Sequence, residues 1–282
     1  MPVLEAADVR LNYGLIGDGV PVTLLHGFSQ SGRSWLELVS RMPDGWQWVV
    51  PDLRGHGDTE TRPGAPFTMD ACLADLEMLW NHLGIKRTHL VGYSMGGRLA
   101  LDVAAKRPKR ILSLLTIGAH AGLEDDARHG RRLGDEAMAQ RIEGEGLEAF
   151  VDYWSGLPLF AGLERRGPAF LAQVRAERMR NRVGGLAASL RGMGAGAMNP
   201  VWNALAHVDC PCTFVAGQLD HGYVASGRRL AGSVPHGRLE IVLRAGHSVH
   251  QERPESFARL LQAHLEAAAP KSDASPSSST SA

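Results

Sequence analysis

Residues 89–98 run His-Leu-Val-Gly-Tyr-Ser-Met-Gly-Gly-Arg, an apolar run that breaks at Gly-x-Ser-x-Gly and passes straight into the helix-prone Leu99–Ala105. A strand, a sharp turn and a helix in that order leave room only for small residues at Gly92 and Gly96. They also force Ser94 into a strained backbone that lifts its hydroxyl clear of the sheet. The backbone N–H of Met95, at the helix start, has no intrahelical acceptor and is free to donate to a developing negative charge. Gly-x-Ser-x-Gly arises easily by chance in a chain with 33 glycines. Its place between strand and helix separates a nucleophile elbow from a glycine-rich turn.

The remaining chain supplies a sheet for that elbow. Val9 to Tyr13 alternates apolar and polar residues, and Gly17-Asp18-Gly19 then turns, which predicts an antiparallel edge hairpin. Val20 to Leu25 and Trp46 to Val50 are apolar enough for buried strands. Thr68 can cap a helix from Met69 to Leu83, whose Leu73, Leu76, Leu79, Trp80 and Leu83 recur at helical spacing. The elbow helix ends near Arg107-Pro108, and Ile111 to Ile117 is a further strand. Strand character returns at Thr213 to Ala216 and Leu239 to Leu243, and a helix follows from Pro254 to about Ala268. Strands alternating with helices predict an α/β fold, a mostly parallel sheet flanked by helices, with its site at the carboxyl ends of the strands. The expected division is a core of residues 1–118 and 206–268, a helical lid over 119–205 and a Ser-rich disordered tail over 269–282.

Global properties narrow the function. The formal net charge is zero, which gives no ground for nucleic-acid or membrane partners. The acidic N-terminus is no signal peptide, and no stretch is long and apolar enough to span a bilayer. Three cysteines, Cys72, Cys210 and Cys212, suit buried free thiols and complete no zinc site. A cytoplasmic protein without metal or organic cofactor is expected, with monomer and homo-oligomer both open.

An activated serine needs a base, and the base an orienting acid. Asp220 follows the next-to-last strand and His247 the last, so Ser94, Asp220 and His247 are the expected triad, in the chain order Ser, Asp, His. The rivals are His250 for the base, read as packing at a helix start, and Glu124 or Asp125 for the acid. The second oxyanion donor should come from the loop past His26-Gly27, at the Phe28 N–H. His26 reads as structural within its loop, and Asp52, Arg54, His56 and Asp58 as a charged network holding a turn. The lid carries eleven arginines and no lysine. Most should sit on solvated faces paired with Glu and Asp. Arg98 differs: on the first turn after the nucleophile it points near the oxyanion site, where a guanidinium fork suits a carboxylate.

Seven segments together resemble a known family. They are Leu25-His26-Gly27-Phe28-Ser29, Asp52-Leu53-Arg54-Gly55-His56-Gly57-Asp58, Gly92 to Arg98, Phe150-Val151-Asp152-Tyr153-Trp154 with Leu157-Pro158-Leu159-Phe160, Ser189 to Gly194, and Ala245-Gly246-His247-Ser248-Val249-His250. The chain resembles the 2-succinyl-6-hydroxy-2,4-cyclohexadiene-1-carboxylate (SHCHC) synthases of the menaquinone pathway, lyases of the α/β-hydrolase fold. The lid segments are the selective part, since lids differ between families of this fold. The resemblance implies a small-molecule polycarboxylate substrate and loss of pyruvate from it. It carries Ser94, Asp220 and His247 onto the family triad and Phe28 and Met95 onto its oxyanion donors. Tyr93, Arg98, Arg131, Trp154 and Arg178 fall at positions around the substrate, with Arg128 competing for the place of Arg131. Departures stand at His120-Ala121, where Ser-Pro is usual, at Asp220-His221-Gly222-Tyr223, in place of Asp-x-Lys-Phe, and at Met198, where Gln is common. A hydrolase of esters, or of carbon–carbon bonds in diketones, is the alternative use of the same residues.

Overall fold

The computed structural model of the chain describes residues 1–268. The Ser-rich stretch 269–282, expected to be disordered, lies outside them. In chain order the strands are β1 (Val3–Glu5), β2 (Val9–Ile16), β3 (Gly19–Leu25), β4 (Gly45–Pro51), β5 (Glu60–Thr61), β6 (Thr88–Tyr93), β7 (Ile111–Ile117), β8 (Cys212–Gly217) and β9 (Gly237–Val242). The helices are α1 (Leu36–Val39), α2 (Met69–His82), α3 (Met95–Lys106), α4 (Asp125–Ser155), α5 (Pro168–Arg178), α6 (Val183–Met193), α7 (His221–Ala231), α8 (Val249–Glu252) and α9 (Pro254–Ala268). One sheet runs in the order β1-β2-β4-β3-β6-β7-β8-β9, with β5 beside β2. Every pairing from β4 across to β9 is parallel, and those of β2 with β1, β4 and β5 are antiparallel.

The expected hairpin of β2 with β3 does not form. Strand β2 is antiparallel, but β4 lies between it and β3. Both β3 and β4 run into buried, largely apolar stretches, Val22 to Leu25 and Trp48 to Pro51. Runs of that kind need neighbours on both edges and cover on both faces, so they pair centrally and displace the alternating β2 outward.

Helices cover both faces. Leu73, Leu76, Leu79 and Trp80 of α2 pack with Leu99 and Val103 of α3 on one side. Thr68 caps α2 through the Ala71 N–H at 3.2 Å, and the helix ends at His82, one residue short of expectation. On the other side Trp35 and Leu38 meet Phe257, Leu261 and Leu265 of α9. Each such side chain contributes about 1.5–3 kcal/mol on full burial. Cys72, Cys210 and Cys212 are buried free thiols.

Between β7 and β8 the chain makes α4, a 3-10 helix over Pro158–Arg166, α5 and α6, with no strand among the described residues. Gly146, at φ 85°, interrupts α4. This insertion holds a small core of its own, in which Ile142, Phe150 and Val151 of α4 meet Leu186 and Leu190 of α6, and Phe28 packs against it from the β3 loop. No described helix is long and apolar enough to cross a membrane.

Buried neutral histidines tie the frame together. His26 accepts the Leu53 N–H at 2.9 Å, and His264 pairs with Thr213 Oγ1 at 2.8 Å. Burial pushes His26 to about 4, and His56 and His264 to about 3. In the unfolded chain these rings titrate near 6.5, so below that pH the unfolded state binds more protons and stability falls with pH down to the native values. Each ring costs about 2 kcal/mol at pH 5 by this linkage. The urea midpoint should therefore drop steeply between pH 7 and pH 5, and an unchanged midpoint at pH 5 would show that these rings accept protons in the folded state.

Candidate active site

Ser94 stands between β6 and α3 at φ 51°, ψ −108°, a region an L-residue holds only when its surroundings compel it. The compulsion is close approach. A Cβ on Gly92 would press into the backbone of Gly96, and one on Gly96 into the carbonyls of Leu25 and His26 at the end of β3. The Ser94 N–H is held by the Ile117 carbonyl at 2.8 Å. Ser94 Oγ lies 3.0 Å from His247 Nε2, and His247 Nδ1 lies 2.7 Å from Asp220 Oδ2. An Nδ1–H donated to that carboxylate leaves the Nε2 lone pair facing the serine hydroxyl. Asp220 follows β8 and His247 follows β9, so neighbouring strand ends bring the groups together. Gly118, at φ 56°, leaves the imidazole its space, since a Cβ there would come within 2.8 Å of ring atoms.

The alternatives lie elsewhere. His250 is buried against the rings of Trp35 and Tyr93. Glu124 pairs with Arg229, and Asp125 with Arg128. His26 bonds Gly27 within its own loop and also reaches Leu53, clamping two strand ends rather than one loop. In the 52–58 turn, Asp52 accepts from Gly32, Asn12 and Asp58, but the acids that hold Arg54 are the more distant Asp75 and Asp8.

A cavity of about 600 Å³ opens above the serine, within the usual span for small-molecule sites. Phe28, Met95, Tyr93, Arg98, Arg131, Trp154 and Arg178 all line it, along with Ser94 and His247. Arg128 does not; it faces outward with Asp125 and Asn199. The Phe28 N–H has no acceptor among the described residues, and that of Met95 opens α3. Tyr93 donates to or accepts from Ser248 Oγ at 2.7 Å, and burial raises its phenol pKa, so it stays protonated.

The arginines divide into two kinds. Those at 141, 165, 166, 175, 180, 182 and 191 pair with acids. Arg131, half exposed, reaches Asp135 at 2.7 Å. Arg98 and Arg178 are 9% and 1% exposed, yet neither has a carboxylate partner among the described residues. Arg98 donates to the Met193 carbonyl and Arg178 to Ser155 Oγ, while Arg178 Nε is unbonded. Burial pushes Arg98 down to about 10 and Arg178 below its ordinary value, but both remain cations at neutral pH. The nearby carboxylates of Asp135 and Glu177 act on them only through their field, being bonded to Arg131 and Ser31 instead, and an anionic ligand would supply the direct partner that these buried cations lack. No group of three or more His, Cys, Asp or Glu among the described residues is arranged to hold a metal ion.

One supporting residue escaped the sequence reading. Glu252 is fully buried and accepts the N–H groups on either side of His247, from Gly246 at 2.8 Å and Ser248 at 3.1 Å, together with Arg165 at 2.9 Å. Its reach back to Ser248, the residue just before α8, is a variant of the capping box, and that spacing was the available signal. Arg165 and Arg166, which bonds the Gln251 carbonyl, tie the insertion to this loop.

A strained serine on a strand-to-helix turn above a mainly parallel sheet defines the class of the alpha/beta hydrolase fold, and that family matches residues 20–254. The chain is 35% identical over 246 residues to a putative SHCHC synthase of Bacillus subtilis (strain 168), covering 86% of this chain and 89% of that one. It is 31% identical over 242 residues to the SHCHC synthase of Enterobacter sp. (strain 638), covering 85% and 89%. Among solved structures it superposes on MenH from S. aureus with a TM-score of 0.85 and 26% identity, covering 93% and 99%. A thermophilic esterase from Thermogutta terrifontis with malate bound gives 0.82 and 26%, covering 95% and 99%. The chain belongs to the alpha/beta hydrolase fold family and, within it, to the family of the SHCHC synthases.

Replacing Glu252 by Gln keeps the volume and removes the charge that Arg165 and two backbone N–H groups share. The change should cost about 1–3 kcal/mol in urea unfolding. It should also lower kcat more than it raises KM, because it loosens the loop that carries His247. Unaltered kcat would show that the loop holds its place without this carboxylate.

Proposed function

We propose that the chain is an SHCHC synthase, eliminating pyruvate from 2-succinyl-5-enolpyruvyl-6-hydroxy-3-cyclohexene-1-carboxylate to give SHCHC in menaquinone biosynthesis. The observation that carries this reading is the pair of buried guanidinium groups without acid partners, Arg98 and Arg178, in the same cavity as a serine bonded to an imidazole. A site for neutral esters gains nothing from such charges, whereas a substrate with three acidic or oxyanionic ends uses them. The family membership supports the same conclusion.

In this reading His247, oriented by Asp220, makes Ser94 Oγ basic enough to remove the ring proton beside the succinyl ketone. The N–H groups of Phe28 and Met95 donate to the enolate oxygen as charge builds there. Electrons then move through the ring double bond and break the bond to the enolpyruvyl oxygen. The released enolpyruvate takes up a proton and becomes pyruvate, so the step is redox-neutral and needs no acyl-enzyme. Arg98, Arg131 and Arg178 hold the carboxylates, with Tyr93 and Trp154 beside them. An oxyanion hole built for a tetrahedral intermediate serves an enolate equally, since both place charge on the former carbonyl oxygen. One donor lost from such a hole costs about 2.7–4 kcal/mol. The reading carries a cytoplasmic location.

The test makes the enolpyruvyl intermediate in situ and follows pyruvate release against the enzyme-free rate. Ser94→Ala should bring release down by roughly 10³-fold or more, towards that background. Arg98→Ala should raise KM about ten-fold or more, with a smaller effect on kcat. Wild-type release no faster than the spontaneous rate, together with rapid turnover of nitrophenyl acetate, would move the chain to the esterases.

A further inference from the structure

Two departures from the family pattern, His120 after β7 and Tyr223 at the start of α7, lie far apart in sequence and meet in the cavity. Their rings stack with centroids 6.4 Å apart and planes 22° from parallel. The Tyr223 ring also packs on His247 at 4.7 Å. Both line the cavity beside Arg98 and Arg131.

The hydrogen bonding of His120 determines which nitrogen carries the proton. The Gly122 N–H donates to Nδ1 at 3.1 Å, so in the neutral ring the proton resides on Nε2. Burial, reinforced by the charges of Arg98 and Arg131, pushes this imidazole down to about 4, which keeps it neutral at neutral pH. Burial likewise raises the Tyr223 phenol, which stays protonated. Neither His120 Nε2 nor the Tyr223 hydroxyl has a hydrogen-bond partner among the described residues, and Arg98 commits one N–H, to Met193. A carboxylate offers about four lone-pair positions, and a buried one requires them to be met.

We propose that His120 and Tyr223 add two neutral hydrogen-bond donors to the Arg98 guanidinium, so that the three receive one carboxylate of the ligand and reject its uncharged amide. The rejection follows from the donor set. Arg98 and His120 Nε2–H have no lone pair to offer, so an amide NH₂ turned towards them leaves donors facing donors. This inference rests on the polycarboxylate reading of the cavity and assigns one end of it.

The test uses titration calorimetry of the full chain with malate, the dicarboxylate bound in the similar esterase, and with malate diamide. His120→Phe and Tyr223→Phe keep an aromatic ring in the stack and remove only the polar atom. Each should weaken malate binding about ten-fold or more, leave the diamide no weaker, and narrow the preference between the two. In pyruvate release the same variants should raise KM with kcat nearly unchanged. Should His120→Phe fail to fold, Tyr223→Phe carries the test alone. If Arg98→Ala loses malate while both ring variants bind it as the parent does, the proposal is overturned and the polycarboxylate reading stands. If the parent itself shows no preference for malate over the diamide, both are overturned.

Discussion

The structure depends on one close crossing: α3 leaves β6 so near β3 that Gly92 and Gly96 have no room for a Cβ. The strain at Ser94 is the visible result of that crossing. Such a backbone persists only where the surroundings over-determine it, and here the sheet does so. The Ile117 carbonyl holds the Ser94 amide, Leu25 and His26 lie against Gly96, and Leu99 and Val103 anchor the helix in the core. Strand ends arranged around that point present Asp220 and His247 with little further adjustment.

The insertion docks on this frame through several contacts. Phe28 packs into its small core, and Asn181 bonds the Ser29 carbonyl and the Gly57 N–H. The Glu177 carboxylate takes the amide and hydroxyl of Ser31. Arg165 and Arg166 reach the segment after His247. The contacts at 28–31 and after His247 fall on loops that also carry a group facing the cavity, Phe28 in the one and His247 in the other. Positioning of the loop that carries Phe28 and of the loop that carries His247 is therefore shared between sheet and insertion.

Sequence made the elbow legible because steric demand there admits few residue types at fixed spacing. Asp220 and His247 were legible because each follows a recognisable strand end. Strand pairing was less so: β2 and β3 are joined by a tight glycine turn, yet the choice between β3 and β4 as neighbour depends on burial across the whole sheet. The arginines could not be sorted in advance, since the acids that neutralise them, such as Glu37, Asp58 and Glu252, lie far away in the chain. Arg128 and Arg131 are less than one helical turn apart, and only the docked position of α4 separates the outward residue from the inward one. Glu252 left only the faint signal of a capping-box-like spacing, because what it binds is mostly backbone.

Arg178 and Arg131 belong to the insertion, whereas Ser94, Asp220 and His247 belong to the sheet. Part of the cationic lining of the cavity thus comes from a stretch of chain separate from the serine, and the Arg165–Glu252 pair is one of the contacts that join the two. A transplanted cap from another member of the superfamily could redirect the scaffold to a different acid, but only if it brought a cation to meet Glu252. Without one, the graft would strand a buried negative charge beside the very residue whose alignment it must preserve.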